Sequence, residues 1–197
     1  MISSKTIDLI KYNLKKKLFN NIKADVISKI NTNFINSLKT EKGATQVKER
    51  LSIDFIKSIL DSLKYTYKIA GSQQSKDFQD INKIGLNIEV KKTDSLTVYF
   101  NDTMPSSDIF YIIMFTGKQY KTKEDIPPKI IFINGYDLIK DDIYFLLDYK
   151  KDIENMKNNW ARKKKNQKAN KLKYFSVNPR PTYKIDISHL IISSYAY

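Results

Sequence analysis

The sequence predicts an α/β protein: a mixed central β-sheet flanked by helices, with a basic helical extension at its C-terminal end. Three observations predict it. Apolar residues recur at spacings of three and four as far as Leu63, the periodicity turns strand-like from Tyr65, and residues 155–185 carry Lys and Arg but no acid. At 197 residues, 41% of them hydrophobic, the chain has the size of one domain with a core of its own. The pattern divides it into a helical part (1–64), an α/β core (65–150) and a basic part (151–197).

Taken in order, Ile7, Ile10, Leu14, Leu18, Ile22, Val26, Ile30 and Phe34 predict one or two amphipathic helices over 5–37. A further helix starts after Gly43 with Thr45 as its cap and a stripe of Val47, Leu51, Phe55, Ile59 and Leu63. Short strands follow at 66–69, 77–81 and 86–93, the last two joined by the turn sequence Asn82-Lys83-Ile84-Gly85. Strands at 96–100 and 109–115 come next; the second is apolar throughout, as a central strand covered on both faces would be. A strand at 129–134, helices over 135–148 and 151–171, and a final apolar piece at 185–193 complete the chain.

Composition narrows the chemistry. There is no Cys and a single His, His189, so disulfides, zinc–thiolate sites, cysteine nucleophiles and multi-histidine sites fall away. Carboxylates, lysines or a hard metal held by oxygen remain. No apolar run reaches the roughly 18 residues that span a bilayer. Met1–Asn20 lacks the continuous apolar stretch of a secretory signal, so the expected location is the cytoplasm. The net charge of +14 favours a polyanionic partner, and 155–185 alone holds ten Lys and Arg of that balance. Richness in Lys, Asn and Ile also fits an AT-rich coding genome, which raises Lys whatever the function, but such a bias does not make an acid-free block.

The informative stretch is Ser75–Ile81 followed by Leu86–Lys92. On a strand alternate residues share a face, so Glu89 and Lys91 point one way and Leu86, Ile88 and Val90 the other. If Phe78 joins the apolar face, Asp77 and Gln79 join Glu89 and Lys91. A three-residue connection would then set Asp77 opposite Lys91 and Gln79 opposite Glu89. Two carboxylates so close favour a bound divalent cation, and oxygen ligands suit Mg²⁺ or Mn²⁺. Asp77 and Glu89 would hold the metal while Lys91 orients water or steadies charge on phosphorus. Asp80 is the alternative first acid, set by parity on the apolar face. The plain reading is a half-solvated strand in a Lys-rich chain.

Asp77…Glu89-Val90-Lys91 resembles the PD-(D/E)xK nuclease motif, with Lys76 where that pattern often has Pro. The longer order of Gly71–Phe78, Glu89–Thr93, Phe100–Pro105 and Asp108–Tyr111 resembles one group of type II restriction endonucleases, over about 70–115. The resemblance implies a restriction-endonuclease-like fold, Mg²⁺-dependent cleavage of a short site in double-stranded DNA, and a cognate DNA methyltransferase. Cutting both strands of a palindromic site implies a homodimer. It also implies a further metal ligand on the helix before the core strands, for which Glu49 is the candidate; the other reading of Glu49 is a solvated residue beside Arg50. Gln73 and Gln74 either read adenine or lie solvated in a polar loop. Asn101, Asp102 and Thr103 either approach the scissile strand, as the resemblance implies, or cap a turn.

Arg162, Lys163, Lys164, Lys165, Lys168, Lys171 and Lys173 would neutralise phosphates, with Lys157 beside them. Trp160, Tyr174 and Phe175 interleave with these charges as stacking side chains would, although Trp160 also reads as a helix anchor to the core. Two rival functions stand beside the restriction enzyme: a structure-selective or repair-type nuclease, and a basic nucleic-acid-binding protein without catalysis.

Overall fold

A computed structural model describes residues 4–39, 45–70, 76–101, 104–120, 123–166, 182–192 and 195–196. The helical pattern of the first 37 residues forms two helices, α1 (Ser4–Lys29) and α2 (Thr32–Ser37). They part at Asn31, whose side-chain oxygen accepts from the Phe34 N–H at 2.9 Å and so caps α2. Helix α3 (Thr45–Ser62) is followed by Lys64 in the left-handed region, φ 57°, with the Tyr65 N–H donating to the Leu60 carbonyl. Then come β1 (Lys68–Ile69), β2 (Phe78–Ile81), β3 (Leu86–Thr93), β4 (Thr97–Asn101) and β5 (Phe110–Phe115). A hairpin of β6 (Lys118–Tyr120) and β7 (Lys123–Ile126) leads to β8 (Lys129–Asn134). Last are α4 (Gly135–Ile139), α5 (Ile143–Asn166), β9 (Thr182–Asp186), α6 (Ser188–Ile192) and β10 (Tyr195–Ala196).

The main sheet has six strands in the order β1-β2-β3-β5-β8-β10. Among the described residues its only parallel pair is β3 with β5, so the sheet is mixed as the sequence predicts. Strands β4 and β9 pair with each other as a separate antiparallel ladder. Strand β5 is buried from end to end, and its alternate side chains feed two cores. On one face Ile112 and Met114 join Phe78, Ile88, Val90 and the inner sides of α1, α2 and α3. On the other, Tyr111, Ile113 and Phe115 pack with Val98 and Phe100 of β4, with Ile187 before α6 and with Ile191 in it.

Several expectations need correction. The stripe of α1 is buried only at its C-terminal half: Ile22 and Val26 are buried, while Ile7, Ile10 and Leu14 are exposed. The inner face of α3 is Ser52, Ile56, Ile59 and Leu60; Val47 and Leu51 are exposed. Within 135–171 the helix breaks after Ile139 and restarts at Asp142, whose carbonyl accepts from the Leu146 N–H. Helix α5 then runs unbroken through residues 149–150, where a break between two helices was expected. The β6–β7 hairpin was not expected, since Lys118–Tyr120 and Lys123–Ile126 show no clean alternation, and β9 was missed although Thr182–Asp186 does alternate polar and apolar residues.

Candidate active site

The turn between β2 and β3 sets the geometry of the site. Asp80, Asn82 and Lys83 have φ values of 51°, 51° and 58°, and Gly85 has 72°. Asp80 closes the turn with its own side chain, accepting from the Gly85 N–H at 2.9 Å, while its N–H donates to the Asn87 side chain. The ladder shifts by one residue between Ile81↔Leu86 and Phe78↔Ile88. Continued one step, the register puts Asp77 opposite Glu89, not opposite Lys91 as expected; the four-residue turn and the bulge at Asp80 account for the difference. Asp77 stands just outside β2, and its carboxylate takes the place of a strand carbonyl, accepting from the Val90 N–H at 2.7 Å.

Glu89 and Lys91 share the face of β3 opposite Ile88 and Val90, as alternation predicts. They pair at 2.6 Å, with the Glu89 side chain only 6% exposed and the Lys91 side chain 21%. The Lys91 ammonium also lies 5.1 Å from the centre of the Phe100 ring, which meets Tyr111 edge-on. Tyr111 pairs with Glu89 across the β3–β5 ladder, and its hydroxyl accepts from the Ser106 N–H at 2.9 Å. The 104–109 loop is held against α4 by the Gly135 N–H, which donates to the Ile109 carbonyl at 2.7 Å. A side chain at Gly135 would meet the Ser106 carbonyl oxygen at 1.9 Å, so only glycine permits this approach.

Burial dominates the electrostatics. It raises Asp77 above the ordinary carboxylate range against the Val90 N–H and Lys91, and the charge of Glu49 raises it further. Burial likewise raises Glu89, opposed by Lys91 and reinforced by Asp77. Tyr111 is raised by burial first and by the Glu89 charge second. The charged form of each acid is thus disfavoured by burial and by a second carboxylate, Glu49 for Asp77 and Asp77 for Glu89, and Lys91 does not offset both. A hard cation would relieve this strain. Among the described residues no group of three or more His, Cys, Asp or Glu gathers as metal ligands. Two carboxylates nonetheless suit Mg²⁺, which keeps several waters and commonly binds one or two carboxylates together with substrate phosphate.

The structure therefore brings together Asp77, Glu89 and Lys91. Glu49 is exposed, yet it lies one turn before Ser52 and two before Ile56 on the side of α3 that faces the sheet, which is why its charge reaches Asp77. Asp80, the alternative ligand, is engaged with Gly85 in the turn. Phe100, Tyr111 and Ser106 complete the surroundings of Glu89 and Lys91. The stretch 109–115 reads as apolar throughout and marks no single face, and only the parallel register shows that Tyr111 sits beside Glu89. Gln73, Gln74, Asp102 and Thr103 lie outside the described residues, and Asn101 is described only as the last residue of β4.

Of the basic block, Arg162, Lys163 and Lys165 are exposed on the last turns of α5 and Lys164 is half-buried. Trp160 is 44% exposed with Lys163 stacked 4.7 Å over its ring, so it does not anchor α5 in the core. Lys168, Lys171, Lys173, Tyr174 and Phe175 lie outside the described residues. His189 is exposed on α6, close enough to Asp186 for its charge to help lower that acid. Among the described residues no helix is long and apolar enough to cross a membrane. No protein-family model, curated protein or solved structure matches the chain.

Proposed function

We propose that the chain is a Mg²⁺-dependent endonuclease of the PD-(D/E)xK kind acting on double-stranded DNA. The carrying observation is a buried acid, Glu89, and a half-buried one, Asp77, on adjoining backbone segments, with Lys91 2.6 Å from Glu89. Asp77 and Glu89 would hold the cation, Mg²⁺ or Mn²⁺, with Glu49 near enough to add negative charge. A divalent cation bound there supplies Lewis-acid stabilisation of charge on phosphorus and a more acidic water. Lys91, steadied by Glu89 and the Phe100 ring, donates to the attacking water or to a phosphoryl oxygen as charge develops. Tyr111 and the apolar side chains behind Glu89 keep bulk water from that side of the carboxylate. The cations on α5 attract the sugar–phosphate backbone without reading sequence.

Site-specific cutting as a type II restriction enzyme, by a homodimer in a cytoplasm that also holds a protecting DNA methyltransferase, rests on the resemblance of residues 70–115. Incubating supercoiled plasmid of mixed sequence with the purified chain and Mg²⁺ tests the reading. Discrete bands are expected. A smear replaces the restriction enzyme with a nonspecific or repair-type nuclease, and intact plasmid at every salt concentration overturns nuclease activity in favour of a binding protein.

A further inference from the structure

Beside the acid pair lies a second lysine that the proposed chemistry leaves unused. Lys76 directly precedes Asp77, and its ammonium pairs with Asp108 at 3.4 Å. Asp108 sits in the loop before β5, and β2 and β5 flank β3 on opposite sides, so the pair spans β3. It does so at the level of Glu89. Asp77 on one side adds its charge to Glu89, and Tyr111 on the other pairs with Glu89 and accepts from the Ser106 N–H. The Ser106 hydroxyl in turn donates to Asp108, which fixes the acid end of the bridge to the same loop. The amine end is looser. The contact is longer than the 2.6 Å of Lys91 with Glu89, and Asp108 is 59% exposed against 29% for Lys76. Water-exposed pairs of this kind contribute little, so a phosphate can displace Asp108 with small loss.

We propose that Lys76 is a phosphate-binding residue at the mouth of the site, held on Asp108 until the DNA backbone takes its place. This rests on the nuclease reading for its substrate, but its test does not depend on cleavage. Binding of a labelled mixed-sequence duplex is measured against salt concentration, with Ca²⁺ in place of Mg²⁺. Each phosphate contact contributes a slope of about 0.9 in log affinity against log salt. Lys76→Gln is expected to lower that slope by about one and to weaken binding about 8-fold at ~0.1 M salt. Asp108→Asn, which frees the amine, is expected to tighten binding, and the double variant is expected to behave as Lys76→Gln alone. If the bridge were merely structural, both single variants would weaken binding together and lower the melting temperature together. That result, or an unchanged slope in Lys76→Gln, overturns the proposal. A wild type that cleaves while Lys76→Gln keeps its slope removes only this proposal. A wild type that binds with the predicted slopes but does not cleave keeps it and removes the nuclease.

Discussion

Strand β3 and helix α5 carry the same kinds of charge under opposite conditions. Glu89 and Lys91 are enclosed between the β4 side chains and the sheet, 2.6 Å apart, with the acid raised by its own burial. Arg162, Lys163 and Lys165 stand exposed at the end of a helix whose Tyr144, Phe145 and Leu147 are exposed as well. In the sheet, low dielectric makes position decisive, and a displaced group loses its effect. On the helix, charge acts through a counterion atmosphere, and neighbouring cations are nearly interchangeable. Chemistry belongs to the first region and affinity to the second.

The comparison is broken most directly at β3. Glu89→Gln and Lys91→Ala should each lower the single-turnover rate of Mg²⁺-dependent cleavage about 10³-fold, in the range seen when a group stabilising transition-state charge is removed. Duplex affinity should stay within a few-fold in both. A rate loss accompanied by an equal affinity loss would make these residues part of the binding surface, and the division between the two regions would disappear.

The second effect is smaller and has the opposite signature. Replacing Arg162 and Lys163 together by Gln should reduce the salt slope by about 1.8 and weaken binding about 60-fold at ~0.1 M salt. At saturating enzyme the cleavage rate should not change. An unaltered slope, read by fluorescence anisotropy, would mean that the exposed end of α5 does not meet the phosphates.

The acids of the site were legible in the sequence because strand alternation is local. Glu89, Lys91 and the bounds of β3 and β8 follow from periodicity alone, and the structure reproduces 86–93 and 129–134 without shift. What depends on distant partners was not legible. The register of Asp77 is set by a turn in which three non-glycine residues adopt positive φ, and no residue type announces that bulge. The inner face of α3 was misread because Val47 and Leu51 are apolar yet exposed. Glu49 is exposed, as its solvated reading had it, yet it shares the side of α3 that carries Ser52 and Ile56, and its charge reaches Asp77. Phe100 and Tyr111 reach the site only once β4 folds over the sheet and β3 pairs in parallel with β5.

The smallest effect sharpens the comparison by asking what burial of the acids does to the fold. Both Asp77 and Glu89 titrate above their ordinary values of 3.8 and 4.5. A group whose folded pKa is raised contributes stability that is complete below the unfolded value and lost as pH rises through the folded one. Cation-free protein should therefore lose melting temperature between pH 4 and the raised values, about where the acid limb of cleavage begins, since cleavage needs both carboxylates charged. Mg²⁺ should restore the loss by binding only the folded state. Asp77→Asn keeps an acceptor for the Val90 N–H and removes the charge, so it should melt a few degrees higher than wild type at neutral pH without cation, and gain nothing from Mg²⁺. Exposed acids such as Asp148 on α5 have no burial to relieve, so Asp148→Asn should leave the melting profile unchanged. Calorimetry across pH 4 to 8, with and without Mg²⁺, reads both variants. Equal behaviour of Asp77→Asn and Asp148→Asn would mean that the sheet site does not hold its acids against their solvation.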